Sequence, residues 1–562
     1  MSPLIPLTVT PAPTTTALLA DAVARYPDRV ALDFLGGTMT YRDLADQVDA
    51  AAAVLAGLGV RAGDRVALIL PNCPQHVVAF YATHLLGATV AEHNPLAAPA
   101  EIRAQLERHG ASVVVGWEHS IATVLDSASH QFGRTVLAVD LTAAMPWRTR
   151  LLLKLPVPAA RAQRAKLRSA VPAGVGSWDK EVARAMGSRP PHTSGPSSED
   201  VAVLLPTGGT TGTPKLVPLT HANLTANVAQ SLQWMPDLRE GEETFGAVLP
   251  FFHAFGMTLS LTCAVALGAT QVVLPTFDVD MLLAAMRRHP ITFLGGVPPM
   301  FDRLEAGARE KGTSLRSVRF AVSGAMALDG EIARRWEEAT GGLVIEGYGM
   351  SETSPVVLGN PFGPARRPGR LGIPYPDTEI RIADPDLLDE GASDAPDVED
   401  GEIGELLVRG PQVFDGYLDA PEENAQVLLP GGWLRTGDLV TRDAADGSVA
   451  LADRRKELII SGGFNIYPSQ VEDAVRGMPG VVDVAVVGLP HDEDASLGEQ
   501  VVAALVLEPG VTVELDQLRD WLQDRVSRYA LPRAVHILDE LPRTQLGKVL
   551  RRAVRESLLT RS

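Results

Sequence analysis

The sequence predicts an α/β protein: a large N-terminal domain built of layered, mostly buried sheets, followed by a small α+β domain at the C-terminal end. Three observations carry this. Short β-branched runs alternate with amphipathic stretches along most of the chain, the pattern of sheets covered by helices on both faces. The 562 residues, 46% hydrophobic and 21% charged, suffice for sizeable cores. Past residue 455 the alternation restarts on a smaller scale, so the boundary is set there, with domains at 1–455 and 456–562.

In chain order, the runs at 65–70, 112–115, 201–205, 271–274 and 318–322 read as strands. Residues 244–277 contain no Asp, Glu, Lys or Arg, but Pro250, His253, Pro275 and several glycines interrupt them. They read as a buried loop, helix and strand rather than a membrane span. In the smaller domain, strands are expected at 481–487 and 501–507. Leu515, Leu518, Leu522 and Val526 recur at helical spacing. No basic residue precedes Arg25, so the positive region of a signal peptide is missing. Cys73 and Cys263 are the only cysteines, which fits a reducing compartment. The formal net charge of −18 repels polyanions and argues against nucleic acid as a partner. A cytoplasmic enzyme is expected.

Two charged segments stand apart. Residues 384–402 hold nine acidic side chains among Gly, Ala, Ser and Pro, and read as a solvated surface insertion without chemistry. Between Asp140 and Asp179 there is no acidic residue, while Arg148, Arg150, Lys154, Arg161, Arg164, Lys166 and Arg168 lie beside Trp147 and Leu151-Leu-Leu153. Two readings of 147–168 stay open: an amphipathic helix on the protein's own core with a basic outer face, or a peripheral contact with anionic headgroups at the inner membrane face.

The strongest chemical signal is Leu205-Pro-Thr-Gly-Gly-Thr-Thr-Gly-Thr-Pro-Lys215, directly after an expected strand. Glycines let the backbone wrap a phosphate chain, the hydroxyls of Thr207, Thr210 and Thr211 donate to its oxygens, and Lys215 adds charge. It is not a Walker A loop, because Thr213-Pro214 precede Lys215 and Leu216 follows it. Four further motifs follow in order: Tyr348-Gly-Met-Ser-Glu-Thr353, Gly432-Trp-Leu-Arg-Thr-Gly-Asp438, Asp453-Arg-Arg-Lys-Glu-Leu-Ile-Ile-Ser-Gly-Gly-Phe-Asn-Ile-Tyr-Pro468 and Pro542-Arg-Thr-Gln-Leu-Gly-Lys548. Together they resemble the adenylate-forming superfamily of acyl-CoA synthetases, luciferases and peptide-synthetase adenylation domains. Gly208-Gly209, Pro250-Phe-Phe-His-Ala-Phe-Gly256 and the Ser-Gly-Gly-Phe-Asn stretch are most similar to bacterial long-chain fatty-acid CoA ligases.

The resemblance implies roles that suit the residue types. Thr207, Gly208, Gly209, Thr210, Thr211, Gly212 and Lys215 would cradle the β- and γ-phosphates of ATP. Gly324, Ala325, Glu346 and Gly347 would line the adenine pocket, and Tyr348, followed by Gly349, would stack on the base. Ser351 would bond the α-phosphate. Glu352 would hold Mg²⁺ with Thr207 as a second oxygen ligand, as a hard cation prefers. Asp438 would accept the ribose hydroxyls and Arg454 would donate to ribose or phosphate. Lys548 would bridge the attacking carboxylate and the α-phosphate, while His253 would flank the acyl pocket. Lys456 would be the hinge about which a mobile C-terminal lid turns between two half-reactions.

The implied reaction is a ligation of a medium- to long-chain fatty acid to CoA through acyl-AMP, releasing AMP and pyrophosphate. Delivery of the acyl group to a carrier-protein thiol, or action on an aryl acid, would use the same nucleotide motifs. Departures from the common pattern are Pro206, Leu216 in place of a frequent Gly, and Ser351 in place of a frequent Thr; Ser keeps the hydroxyl.

Overall fold

The computed structural model describes residues 5–124, 134–191, 195–207, 215–461, 464–490, 499–544 and 547–560. Two large sheets dominate. The first has seven strands, in the order Gly176–Ser177, Thr135–Val139, Val113–Trp117, Arg65–Ile69, Thr89–Glu92, Val201–Thr207 and Lys215–Thr220, parallel except at the last pair. The second has nine, parallel from Leu343–Gly349 through Phe320–Ser323, Phe293–Gly296, Thr244–Ala247 and Thr270–Val273 to Val30–Phe34, with antiparallel strands at both edges.

Alternation along each strand sorts side chains into different cores, because successive residues face opposite sides of a sheet. Val66, Leu68, Val113 and Val115 enter the central core, whereas Ala67, Ile69 and Val114 face helices Pro99–His109 and Glu118–Val124 on the outer side. In the second sheet Phe245, Phe293, Phe320 and Val322 face the centre. Val272, Leu294, Ala321 and Val344 face helices Val279–Met286, Pro298–Glu310 and Gly330–Thr340. Both sheets therefore share one central core and each has a second core outside it. Helix Pro74–Leu85 runs through the centre, buried at every position from Pro74 to His84. Both of its histidines are paired: His76 Nε2 lies 2.9 Å from Glu92 Oε1 and His84 Nε2 2.9 Å from the Ala202 carbonyl.

The uncharged run at 244–277 is interior, as expected. It forms the strand Thr244–Ala247, a turn at Ala254–Gly256, a π-helical stretch Met257–Thr262, helix Cys263–Ala266 and the strand Thr270–Val273. Gly256 is required there, since a Cβ would stand 2.1 Å from the Pro250 carbonyl oxygen. Among the described residues no helix is long and apolar enough to cross a membrane. Cys73 and Cys263 are buried and unpaired.

A third, antiparallel sheet, Glu379–Ala383, Gly404–Arg409, Leu428–Leu429, Trp433–Arg442 and Val449–Arg454, carries the acidic segment, which lies at the surface as expected but is packed on the sheet. Leu388 and Ala395 are buried against Leu407 and Trp433. Several carboxylates are ion-paired: Asp389 with Arg435 at 2.8 Å and Arg455 at 2.7 Å, Asp397 with Arg381 at 2.8 Å and Asp400 with Arg442 at 2.5 Å. This is a packed flap, with partners supplied by distant strands. The basic segment departs from one of its two readings. Helices Trp147–Leu152 and Pro158–Leu167 bury no residue fully, and of their apolar side chains only Leu167, at the end of the second, packs on the protein's own core.

The C-terminal part is α+β. Strands Val481–Pro490 and Glu499–Leu507 pair antiparallel, and Ala534–Ile537 adds in parallel. Val471, Val475, Leu518 and Leu522 of helices Pro468–Arg476 and Leu515–Leu522 cover one face, and Val554 and Leu558 of helix Arg551–Leu559 cover the other. The expected helix thus ends before Val526.

Candidate active site

Strands Phe320–Ser323 and Leu343–Gly349 end side by side, Ser323 in register with Glu346. Ligands in open α/β sheets bind beyond such carboxyl ends. Gly324 and Ala325 follow the first strand; Glu346, Gly347, Tyr348 and Gly349 finish the second; the turn Ser351–Thr353 carries Ser351 and Glu352. A side chain at Gly324 would meet the Phe255 ring at 2.9 Å, so the missing Cβ lets the His253 segment close on this edge. Ala325 takes a left-handed conformation, φ +63°, strained for a residue with a Cβ. The Glu346 carboxylate turns away from the edge, accepting from Asn360 Nδ2 at 3.0 Å and the Gly369 amide at 2.8 Å, which leaves backbone to line a pocket here.

Asp438 and Arg454 stand opposite each other on paired strands of the third sheet, Arg454 Nε 3.3 Å from Asp438 Oδ1. The Tyr348 hydroxyl donates to Asp438 Oδ2 at 2.5 Å. Burial, then the Asp438 charge, raises the Tyr348 phenol well above its ordinary range, so it stays a donor. A ring, a carboxylate and a guanidinium converge in one place.

Beside them Glu352 is buried, and burial pushes its carboxyl up, while the Tyr417 hydrogen bond and the Lys215 and Arg454 charges pull it back. The Tyr417 hydroxyl donates to Glu352 Oε1 at 2.7 Å, and Lys215 Nζ stands 4.7 Å from the centre of the Tyr417 ring. The strap around Tyr417 is fixed at both ends: the Phe414 amide donates to the Glu352 carbonyl at 2.9 Å and the Leu418 amide to the Leu216 carbonyl at 3.0 Å. Leu216 is buried, so its departure from Gly places a side chain in the core. Thr207 pairs in register with Lys215. Gly208, Gly209, Thr210, Thr211 and Gly212 lie outside the described residues.

Tyr417 escaped the sequence reading. Its only signal was an aromatic residue beside Gly416 in an irregular stretch, and nothing in the spacing ties it to Glu352, 65 residues away.

His253 caps the turn Ala254–Gly256, its Nδ1 accepting from the Phe255 amide at 3.3 Å. Burial holds its pKa down to about 4, so the ring is neutral near pH 7. It leads into the π-helical stretch, a distortion that recurs at functional sites.

Lys548 reaches this cluster from the C-terminal part. Its loop is closed by the Thr544 amide donating to the Lys548 carbonyl at 2.8 Å and the Lys548 amide donating to Thr544 Oγ1 at 3.1 Å. The loop lies on the large domain: a Cβ at Gly547 would stand 3.7 Å from the Met326 sulfur and 3.9 Å from Pro299. Burial first, and then the Arg454 charge, lower the Lys548 pKa to about 8, against the opposing pull of Glu457 and Asp438. Lys456 falls in the turn Arg455–Glu457 that joins the two parts. Beside that turn, Arg551 pairs with Glu472 at 2.7 Å, Asp453 at 3.6 Å and Glu457, a cluster the sequence reading also missed.

For magnesium the donor chemistry fits. One buried carboxylate, Glu352, is of the hard oxygen type this ion prefers, and phosphate oxygens and water would complete the shell. Among the described residues no group of three or more His, Cys, Asp or Glu able to hold a metal occurs.

Comparison with known proteins follows this geometry. A family model described as AMP-binding enzyme matches residues 19–418, and one described as AMP-binding enzyme C-terminal domain matches 470–548. A long-chain-fatty-acid–CoA ligase of Bacillus subtilis (strain 168) is 34% identical, covering 97% of this chain and 95% of its own length. A feruloyl-CoA synthase of an Amycolatopsis species is 33% identical over 94% of this chain and 96% of its own. The crystal structure of ATP-bound MatB from Rhodopseudomonas palustris superposes with a TM-score of 0.80 at 28% identity, covering 97% of this chain and 99% of that one.

Proposed function

The chain belongs to the AMP-binding enzyme family and is an acid–thiol ligase that forms acyl-CoA, and from that premise we propose that its acid is a medium- to long-chain fatty acid, activated as acyl-AMP by the cluster around Asp438. The observation that supports the mechanism is the Lys548 loop resting on the large domain beside Met326 and Pro299, where Lys548 feels the charges of Arg454 and Asp438.

In the first half-reaction an oxygen of the fatty carboxylate attacks the α-phosphorus of ATP. The bond to the bridging oxygen of pyrophosphate breaks, and acyl-AMP remains. Negative charge concentrates between two anions, and the Lys548 ammonium bridges them as they approach. Asp438 accepts the ribose hydroxyls, Tyr348 stacks on adenine and holds Asp438 in place, and Arg454 donates to ribose or phosphate. Ser351 bonds the α-phosphate. Thr207 through Gly212, with Lys215, enclose the β- and γ-phosphates. Glu352 and Thr207 would hold magnesium, which supplies neutralisation of the phosphate charge. No covalent enzyme intermediate is needed, and positioning with charge neutralisation suffices, as in phosphoryl transfer generally.

In the second half-reaction the CoA thiolate sulfur attacks the acyl carbonyl and AMP leaves as its phosphate. Lys548 has no task there, so the domain 456–562 turns about Lys456 and presents another face. His253, neutral and beside Phe255, flanks the acyl carboxyl.

Near full-length likeness to long-chain fatty-acid ligases supports the fatty acid. The similarity to a feruloyl-CoA synthase favours a second reading, an aryl acid, which leaves every nucleotide contact unchanged. A thioester assay across acids from short to long and across aryl acids, with CoA and an acyl carrier protein compared as acceptors, separates them. The proposal expects turnover that rises with alkyl chain length and requires CoA. A preference for aryl acids, or for the carrier protein, overturns it.

A further inference from the structure

The segment between strands Thr135–Val139 and Gly176–Ser177 stands out from the large domain yet is fastened at both ends. At its start the Gly37 backbone packs so closely on Ala144 that a Cβ would stand 2.1 Å from its carbonyl oxygen. At its end Trp117 Nε1 donates to the Leu167 carbonyl at 3.0 Å, and Arg168 pairs with Glu118 at 2.7 Å and Asp140 at 3.1 Å. What lies between is held out by these anchors.

That stretch carries the densest run of exposed large apolar side chains among the described residues: Trp147 is 65% exposed, Leu151 53%, Leu152 61%, Leu155 46% and Val157 46%. Arg148, Arg150, Lys154, Arg161, Arg164 and Lys166 are interleaved with or follow them, and none makes an ion pair with the described residues. Elsewhere arginines are mostly paired; here Arg168 alone is, and it belongs to the anchor. Water-exposed leucines are unfavourable without a partner, and uncompensated cations on a protein of net charge −18 select an anionic one. Nucleic acid would engage the cations but leave the leucines in water. An anionic bilayer takes both, because acyl boundary and headgroups lie within one side-chain length.

We propose that residues 147–168 are a peripheral docking surface for a membrane containing anionic lipid, with Trp147, Leu151, Leu152 and Leu155 entering the acyl boundary and the neighbouring cations meeting the headgroups. This goes beyond the ligase reading and does not depend on it.

The test is co-sedimentation of the full-length protein with sucrose-loaded vesicles of phosphatidylcholine, alone or with about one-third phosphatidylglycerol, a content giving a negative surface. Binding to the anionic vesicles is expected, weakening steeply with added salt. The triple variant Arg150→Gln, Lys154→Gln, Lys166→Gln should lower partitioning on the order of 100-fold, given the attraction each cation near such a surface contributes. The variant Trp147→Ala, Leu151→Ser, Leu152→Ser should also lose binding; all six positions lie on the surface segment, so both variants keep the wild-type unfolding midpoint. Lipids brominated along the acyl chain should quench tryptophan fluorescence, and Trp147→Phe should remove the quenching. Absence of sedimentation, equal binding to both vesicle types, wild-type binding by either triple variant, or binding to duplex DNA in place of vesicles overturns the proposal.

Discussion

Lys548 sits where burial and Arg454 favour the neutral amine, so the free enzyme loses this charge near pH 8 instead of in the usual lysine range. The ammonium is the working form, and raising the pH through that value removes it. The kcat/KM for acyl-AMP formation, which reports free-enzyme groups, is expected to fall above about pH 8, and thioester formation from supplied acyl-AMP is expected to lack this limb. Stopped assays of the two half-reactions between pH 7 and pH 10 check it; the same limb in both would remove Lys548 from its role. Tyr417 acts on an acid instead of a base. Its hydroxyl stabilises the ionised Glu352 carboxylate against burial, so Tyr417→Phe raises the pH at which Glu352 ionises. The acid limb of the pH–activity profile should therefore move to higher pH, by about one unit for one hydrogen bond to a charged group, while alkaline activity changes little. A uniform loss at all pH values would mark Tyr417 as merely structural. Asp438, Arg454, Tyr348 and Lys548 were legible as a set because each lies in a spaced motif. Tyr417 was not, since its partner is brought near only by the strap between Glu352 and Leu216.

Among the elements, the strands were legible because period-two alternation sends neighbouring residues into different cores, a constraint written into runs such as Val113-Val-Val115. The acidic segment was legible as a surface insertion, but its ion pairs were not. Its charges were visible, but Arg435, Arg442 and Arg455 are supplied by strands and a turn far along the chain. The same limit hid the junction cluster. Arg551 joins the last helix to Asp453, Glu457 and Glu472, and Asp453 and Glu472 are buried. Removing the guanidinium leaves buried Asp453 without its cation and Glu472 with only Arg476 at 3.7 Å, so Arg551→Leu is expected to destabilise by about 3 kcal/mol. Urea unfolding followed by circular dichroism measures it, and an unchanged midpoint would show that the cluster contributes nothing. The basic helices show that composition exposes an amphipathic segment but does not say which surface it meets; burial leaves all but Leu167 of their apolar side chains off the protein's own core.

For the whole molecule, a net charge of −18 coexists with ligands that are all anions, because positive charge is gathered locally at Lys215, Arg454 and Lys548, with the exposed segment 147–168 as a separate excess. The lysine loop rests beside Met326 and Pro299 of the large domain, an arrangement suited to acyl-AMP formation. The account's central claim is that one domain delivers Lys548 for the first half-reaction only. The direct measurement is Lys548→Ala assayed in both halves: pyrophosphate release from ATP and acid, and thioester formation from purified acyl-AMP and CoA. The first is expected to fall at least about 100-fold, as for loss of a group that stabilises developing charge, and the second to stay near wild type. Equal loss in both halves would contradict the account.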